Sequence, residues 1–275
     1  MEATPEAEAG DIGFAHVRGW IVTLAVVIVT VSVGIGLWLT WDSTRVSDGS
    51  TLTAGPDPLI NTTTSPIATT STVAQVIPAC SQGDEPAEGD PLADWATIMI
   101  DTNRALPPEF APGDLVEVTA AGFAQLDRVR ELVIPDLAAL RQAAEANGTP
   151  ILVISAYRSF VYQQGLYQDA VERVGESQAA EGVARPGHSE HQLGTALDVL
   201  DPEADALSAA FADTPAGQWI AAHAHEYGFV PSYPADARDR SCYEFEPWHL
   251  RYVGRDIAAQ IHASGVPPRE WLLRR

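Results

Sequence analysis

Two short segments of this chain contain residue types that together could bind a zinc ion. One is S-E-H-Q-L-G-T-A-L-D at residues 189–198, and the other is E-P-W-H at residues 246–249. His191, Asp198 and His249 offer two imidazoles and one carboxylate. Three protein ligands with a fourth position left open are typical of catalytic zinc. The sequence therefore predicts a zinc site made by these three residues.

The spacing of the first two ligands predicts a bend in the chain. His191 and Asp198 are seven residues apart, and this odd separation would place them on opposite faces of one continuous strand. Gly194 is the natural position for the bend. After it, we expect Asp198 on one face of a strand and Leu197 and Val199 on the core face.

A second carboxylate is expected beside the metal. Glu246 lies three residues before His249, and Pro247 restricts the backbone between them. Zinc lowers the pKa of bound water towards about 7, and a nearby carboxylate can accept the proton as the water attacks a carbonyl. The pattern indicates a hydrolase with Glu246 as the general base, and Glu190 is the alternative base.

Four motifs resemble the VanY family of zinc D-alanyl-D-alanine carboxypeptidases, within the wider group related to the Hedgehog N-terminal domain. They are S-A-Y-R-S at 155–159, A-R-P-G-H-S-E-H-Q-L-G-T-A-L-D at 184–198, E-Y-G-F at 226–229 and E-P-W-H-L-R-Y-V-G at 246–254. The resemblance implies a zinc enzyme that removes the terminal D-alanine from peptidoglycan stem peptides. It leaves open an L,D-carboxypeptidase, a peptidoglycan endopeptidase or a non-catalytic wall-binding module.

The resemblance also implies a role for each matching residue. It makes His191, Asp198 and His249 the zinc ligands and Glu246 the base. Arg158 would stabilise the developing oxyanion or hold the substrate. The residues predicted to contact the substrate are Ser189, Gln163 and Tyr157. The presence of both Glu246 and Arg158 favours an enzyme over a binding module. His188 is predicted to lie in a loop or at the rim, and His223 and His225 to be structural.

The elements that must position these residues indicate an α+β fold, with a small mixed or antiparallel sheet and flanking helices. We predict a helix over 119–147 interrupted near Pro135, a buried strand over 150–155, a helix capped by Ser159, a loop over 175–190, a strand over 195–200, and helices over 215–227 and 252–264. Arg158 would then lie at a corner between a strand and a helix.

An apolar segment precedes this domain. Residues 19–41 carry no charge over 23 positions, enough for a helix to cross a hydrocarbon layer of roughly 30 Å. A cleaved signal peptide is the alternative, but the run is longer than usual and no A-x-A site follows it closely. We predict an uncleaved anchor, a cytoplasmic segment at 1–18, a disordered Ser/Thr/Pro-rich linker at 42–78 and the zinc peptidase domain at 79–275.

Cysteine and charge content restrict the compartment and the partners. Cys80 and Cys242 both follow the apolar segment, and such a pair on an oxidising side of a membrane indicates a disulfide. Two free thiols or a metal pair are the alternatives. The net charge of −21 argues against nucleic acid as a partner. The apolar segment and the cysteine pair therefore predict an extracytoplasmic domain held at the cell membrane, and the family resemblance implies peptidoglycan as its partner.

Overall fold

The computed structural model describes residues 77–275. The predicted cytoplasmic segment (1–18), the predicted anchor (19–41) and almost all of the predicted linker (42–78) lie outside these residues. Within residues 77–275, no helix combines the length and the apolar character needed to cross a membrane.

Short strands and helices alternate irregularly along the described chain, so the predicted α+β class is confirmed. The strands are β1 (Glu85–Pro86), β2 (Arg104–Ala105), β3 (Leu115–Glu117), β4 (Arg128–Arg130), β5 (Leu152–Ser155), β6 (Ala196–Leu200), β7 (Phe229–Pro231) and β8 (His249–Tyr252). The α-helices are α1 (Ile134–Ala146), α2 (Phe160–Val174), α3 (Glu176–Gly182), α4 (Pro215–His223), α5 (Arg238–Ser241), α6 (Arg255–Ser264) and α7 (Pro268–Leu273).

The central sheet has four antiparallel strands in the order β5-β6-β8-β7. Strand β6 is buried along its whole length, as expected for an inner strand. Strand β5 was predicted to be buried, but it lies at an edge of the sheet and the side chain of Ile154 is 41% exposed. The sheet therefore has its most protected surface where β6 meets β8.

The hydrophobic core lies between the sheet and two helices. Leu197 and Val199 of β6 are fully buried and belong to one cluster with Leu137 and Leu140 of α1 and Ile220 of α4. Burying side chains of this size contributes about 1.5–3 kcal/mol each relative to exposure. The core thus holds β6 against α1, and Asp198 lies on the face of β6 that points away from the core. This is the alternation of side chains predicted for the strand.

The prediction of one interrupted helix over 119–147 is wrong in its first half. Residues Val118–Ala121 form a 3₁₀ turn, and β4 pairs with β3 in an antiparallel ladder. Only Ile134–Ala146 is α-helical, and Pro135 lies in its first turn, where the missing N–H removes no intrahelical bond. Tertiary burial of Val129, which is 0% exposed, outweighs the local helix pattern.

Two other boundaries differ from the predictions. The predicted loop at 175–190 contains helix α3. The helix predicted from residue 252 begins only at Arg255, because Tyr252 ends strand β8 and Gly254 has a φ of 79°. The predicted cap of α2 is confirmed, because the Ser159 hydroxyl accepts from the Tyr162 N–H at 3.2 Å. The helix predicted over 215–227 is α-helical only to His223 and continues as a 3₁₀ turn over Ala224–Tyr227.

A disulfide joins Cys80 to Cys242, with 5.2 Å between their Cα atoms. Cys80 lies close to the start of the described residues, and Cys242 lies in the turn four residues before Glu246. The bond closes a sequence separation of 162 residues. It therefore restrains the segment that leads into β8.

The bend at Gly194 can be tested by substitution with alanine. Gly194 has a φ of 71°, and a Cβ there would lie 2.9 Å from Leu115 Cδ2 and 3.0 Å from Arg130 Cγ. Gly148 has a φ of 78° but open space around the same position. Gly148→Ala should lower the free energy of unfolding by about 1–2 kcal/mol, the cost of the left-handed conformation.

Gly194→Ala should cost that amount and about 1–3 kcal/mol more, because the added methyl group overpacks the site. Equilibrium urea unfolding of both variants measures the difference. Equal losses would show that close packing at Gly194 contributes nothing to stability.

Candidate metal centre and active site

The antiparallel pairing of β6 and β8 brings two of the three predicted ligands together. Asp198 and His249 are direct partners in the register, so their side chains project from the same face. His191 comes from the 3₁₀ turn Glu190–Leu193, which ends at the left-handed Gly194 just before β6. One ligand atom from each side chain lies within 4.8 Å of the others, and all three residues are buried.

His191 presents one ring nitrogen to this group. Its Nδ1 lies 2.6 Å from the Ala156 carbonyl oxygen, so Nδ1 carries the proton and donates it there. Its Nε2 is buried, accepts no hydrogen bond within residues 77–275 and lies 3.3 Å from Asp198 Oδ1. A buried imidazole lone pair that faces a carboxylate is costly unless a cation lies between the two, so this arrangement is the one expected of a metal ligand.

His249 presents the other imidazole. Its Nδ1 lies 3.0 Å from Asp198 Oδ1, and its Nε2 lies 3.0 Å from Glu190 Oε2. The rings of His191 and His249 approach edge to face, with 4.9 Å between their centroids. Two imidazole nitrogens and one carboxylate oxygen therefore converge on one point, and this donor set suits zinc.

Charge within the buried group favours metal-binding protonation states at two of the ligands. Burial, with the nearby Arg158 charge, lowers the pKa of His191 to about 4, which leaves the imidazole neutral at neutral pH. Burial opposes ionisation of Asp198, but His191 and His249 hold the pKa of its carboxyl well below the usual range. Burial also disfavours the charged form of His249, yet its hydrogen bonds to Asp198 and Glu190 raise its pKa to about 10.

Glu246 lies next to this group but does not belong to it. It occupies the turn before β8, where its N–H donates to the Tyr233 carbonyl oxygen and its own carbonyl accepts from the His249 N–H, both at 3.1 Å. Burial raises the pKa of the Glu246 carboxyl to about 7, and the negative charge of Asp198 contributes to this rise. Such a carboxyl can both accept and release a proton near neutral pH.

Arg158 lies at the predicted corner between β5 and α2. Its N–H donates to the His191 carbonyl oxygen at 3.3 Å, and its Nη2 lies 3.8 Å from Asp198 Oδ2. Its Nε is buried and donates no hydrogen bond within the described part of the chain. The guanidinium group thus brings a positive charge to the edge of the ligand group.

The three residues predicted to contact substrate lie around the same region. Ser189 Oγ accepts from the His191 N–H at 3.4 Å, and Gln163 Nε2 donates to the Ala184 carbonyl oxygen at 2.7 Å. Both side chains are almost fully buried. Tyr157 is partly exposed beside Arg158. The first two therefore support the loop that carries His191, and substrate contact by all three stays a prediction.

Within residues 77–275, the other histidines lie outside the ligand group. His188 is buried, with its Nδ1 2.8 Å from the Asp101 carbonyl oxygen. His223 pairs with Glu226, and His225 stacks on His262 with 3.5 Å between ring centroids.

A buried charge network that the sequence motifs do not predict lies behind His249. The sequence predicts Glu190 only as an alternative base, but both of its carboxylate oxygens accept hydrogen bonds from buried side chains. Oε1 accepts from Arg251 Nη1 at 2.9 Å, and Oε2 accepts from Ser232 Oγ at 2.6 Å as well as facing His249. Arg251 could have been found from its position two residues after His249, which puts both on one face of β8.

Comparison with known proteins agrees with this geometry. The family model VanY, D-alanyl-D-alanine carboxypeptidase, matches residues 127–255. The chain is 35% identical over 178 residues to the putative carboxypeptidase YodJ of Bacillus subtilis (strain 168), covering 63% of this chain and 65% of YodJ. The chain thus spans just under two thirds of that relative.

Two solved structures are also similar. The LdcB LD-carboxypeptidase is 34% identical, with a TM-score of 0.57 over 62% of this chain and 83% of that one. The vancomycin-resistance D,D-pentapeptidase VanY of a VanB-type cassette, a mutant in complex with Zn(II), is 27% identical. Its TM-score is 0.56 over 65% of this chain and 99% of that one.

The ligand group predicts binding of one zinc ion per chain. His191→Ala should reduce zinc binding to a small fraction of the wild-type amount, because the group would lose one of its three donors. His188→Ala is the matched control, since His188 is equally buried but lies outside the group. Metal analysis of folded protein after zinc loading and gel filtration gives the stoichiometry. Full zinc content in His191→Ala, or loss in His188→Ala alone, would contradict the assignment.

Proposed function

The chain belongs to the VanY family of D-alanyl-D-alanine carboxypeptidases, and we propose that it is a zinc enzyme that hydrolyses the terminal D-alanine from peptidoglycan stem peptides. The observation that carries the proposal is the pairing of a three-donor group with a separate nearby carboxyl group, that of Glu246. This division matches a hydrolase in which one set of residues binds the metal and another moves the proton.

His191, Asp198 and His249 would hold the zinc ion. When bound there, zinc supplies a Lewis acid for the activation of water and of the scissile carbonyl. The neutral imidazole of His191 and the ionised carboxylate of Asp198 are already in the protonation states that metal binding needs. The residues present therefore fit the metal that the family uses.

Glu246 is proposed as the general base. As the water oxygen bonds to the carbonyl carbon, the Glu246 carboxylate accepts the proton that the water releases. As the carbon–nitrogen bond breaks, the protonated Glu246 returns that proton to the nitrogen of the leaving D-alanine. Burial raises the pKa of Glu246 in the metal-free site to about 7, so this carboxyl is less firmly ionised than an exposed one and can release a proton as well as accept it.

Arg158 is proposed to stabilise the negative charge that develops on the carbonyl oxygen. Its guanidinium lies at the edge of the ligand group, and its buried Nε donates no hydrogen bond within residues 77–275. A cation that is already in place costs no rearrangement during the reaction. The backbone bond from Arg158 to the His191 carbonyl oxygen keeps the strand corner close to the metal site.

An L,D-carboxypeptidase is a second candidate, and one observation favours it. The identity to the LdcB LD-carboxypeptidase is 34%, higher than the 27% to the D,D-pentapeptidase VanY. The two activities differ in the configuration of the residue that precedes the terminal D-alanine, and the proposed roles of the metal ligands and Glu246 apply to either.

Membrane attachment is also a proposal. It rests on the uncharged apolar run at 19–41, and the disulfide between Cys80 and Cys242 supports an oxidising, extracytoplasmic location for the domain. Carbonate extraction of cell membranes tests it. Release of the full chain into the soluble fraction would contradict an uncleaved anchor.

The bond that is cleaved can be identified with a panel of stem peptides. Zinc-loaded protein should release D-alanine from a pentapeptide that ends in D-Ala-D-Ala, and the tetrapeptide product should accumulate. Release from the tetrapeptide instead would establish the L,D activity. Chromatography of the released amino acid and the shortened peptide measures both. Absence of release from either peptide, with zinc bound, would contradict a carboxypeptidase.

The role of Glu246 can be tested by its amide. Glu246→Gln keeps the shape of the side chain but removes its basicity, so turnover should fall by about 10²–10⁴-fold. Zinc content should stay unchanged because Glu246 does not belong to the ligand group. Glu244→Gln is the matched control, since Glu244 is exposed and pairs with Arg238. Near-normal turnover in Glu246→Gln would require another base.

A further inference from the structure

Glu190 is a buried carboxylate that the proposed reaction does not use. It is 5% exposed and follows Ser189 at the start of the 3₁₀ turn that carries His191. While His191 faces Asp198, the Glu190 side chain reaches the opposite edge of the His249 ring, with 3.0 Å between Oε2 and Nε2. Glu190 and His191 are adjacent in sequence, but their side chains thus approach the ligand group from different sides.

The contacts of His249 define which nitrogen can serve the metal. An ionised carboxylate only accepts hydrogen bonds, so the contact with Glu190 requires a proton on His249 Nε2. Nδ1, the nitrogen that faces Asp198 at 3.0 Å, is then the one directed at the ligand group, and its proton is the one that a metal would replace. Without the hydrogen bond from Nε2 to Glu190, the His249 ring would no longer be held with Nδ1 directed at the ligand group.

Glu190 is itself held by two further donors. Arg251 Nη1 donates to Oε1 at 2.9 Å, and Ser232 Oγ donates to Oε2 at 2.6 Å. Arg251 is 1% exposed, and its Nη2 also donates to the Trp95 and Ile98 carbonyl oxygens at 3.1 and 2.7 Å. A buried guanidinium fixed by two carbonyls leaves the carboxylate little freedom to rotate.

We propose that Glu190 is a positioning residue for the metal: it holds His249 with Nδ1 free for zinc, and thereby sets the zinc affinity of the site. Arg251 and Ser232 act through Glu190 by keeping its carboxylate in place. The inference rests on the proposed zinc site and adds a residue outside the three ligands. Carboxylates that accept the second N–H of a metal-binding imidazole commonly affect metal affinity about 10- to 100-fold.

Glu190→Gln is the informative variant, because a carboxamide accepts hydrogen bonds at only one of its two ends. It cannot accept from both His249 and Arg251, so one of these contacts must be lost. We expect zinc affinity to fall about 10- to 100-fold, measured by competition with a chromophoric chelator on the purified full chain. Ser232→Ala removes one donor and leaves the carboxylate, so a smaller loss is expected.

Asp101→Asn is the matched control. Asp101 is a buried carboxylate that pairs with Arg269 at 2.8 Å and with Arg104 at 3.2 Å, but it does not contact the ligands. Its substitution should lower stability and leave zinc affinity unchanged. A second readout is the His249 side chain in NMR spectra of ¹⁵N-histidine-labelled, zinc-loaded protein. The wild type should show the proton on Nε2, and Glu190→Gln should lose or weaken that signal.

Each outcome decides the proposal. Tight zinc binding by the wild type with unchanged affinity in folded Glu190→Gln would overturn this inference alone. Equal losses in Glu190→Gln and Asp101→Asn would also overturn it, because affinity would then follow stability. If Glu190→Gln does not fold, unchanged zinc affinity in Ser232→Ala would overturn the inference instead. A wild type that binds no zinc would overturn the zinc site itself.

Discussion

The register between β6 and β8 is the constraint on which the site depends. It pairs Asp198 with His249 on one face of the sheet and Leu197 with Leu250 on the other. Both leucines are fully buried in the hydrophobic core. A slip of one residue would exchange the faces of a strand and bury a ligand among apolar side chains. By fixing this register, the hydrophobic core determines the positions of two metal ligands that lie on the opposite face of the sheet.

The site also needs a balance of buried charges. Asp198 and Glu190 bring two carboxylates into a region with little access to water, and unpaired charges there would be costly. Arg251 balances Glu190, and Arg158 lies near Asp198. His249 contacts both carboxylates, and in the absence of a metal it balances them by holding a proton. His191, Asp198 and His249 would hold a divalent cation at this point, and its charge would compensate the carboxylates in place of that proton.

The sequence was most informative where local chemistry determines local structure. Gly194 predicted the bend, Ser159 predicted the helix cap, and the odd spacing of His191 and Asp198 predicted that they share a site only after a bend. The helix over 119–147 failed because pairing of β3 with β4 depends on contacts between distant segments. Glu190 was misjudged for the same reason, since its partners Ser232 and Arg251 lie more than forty residues away.

The segment before the region matched by the family model contributes to the site indirectly. That region begins at residue 127, yet Arg251 is anchored by carbonyl oxygens of Trp95 and Ile98. The same segment supplies Asp101, which pairs with Arg269, and Cys80 of the disulfide. A domain cut at residue 127 would remove two acceptors of a fully buried guanidinium. Because an unsatisfied buried charge is costly, the segment around Trp95 and Ile98 belongs to the structure that holds Arg251, and the disulfide ties Cys80 to the same structure.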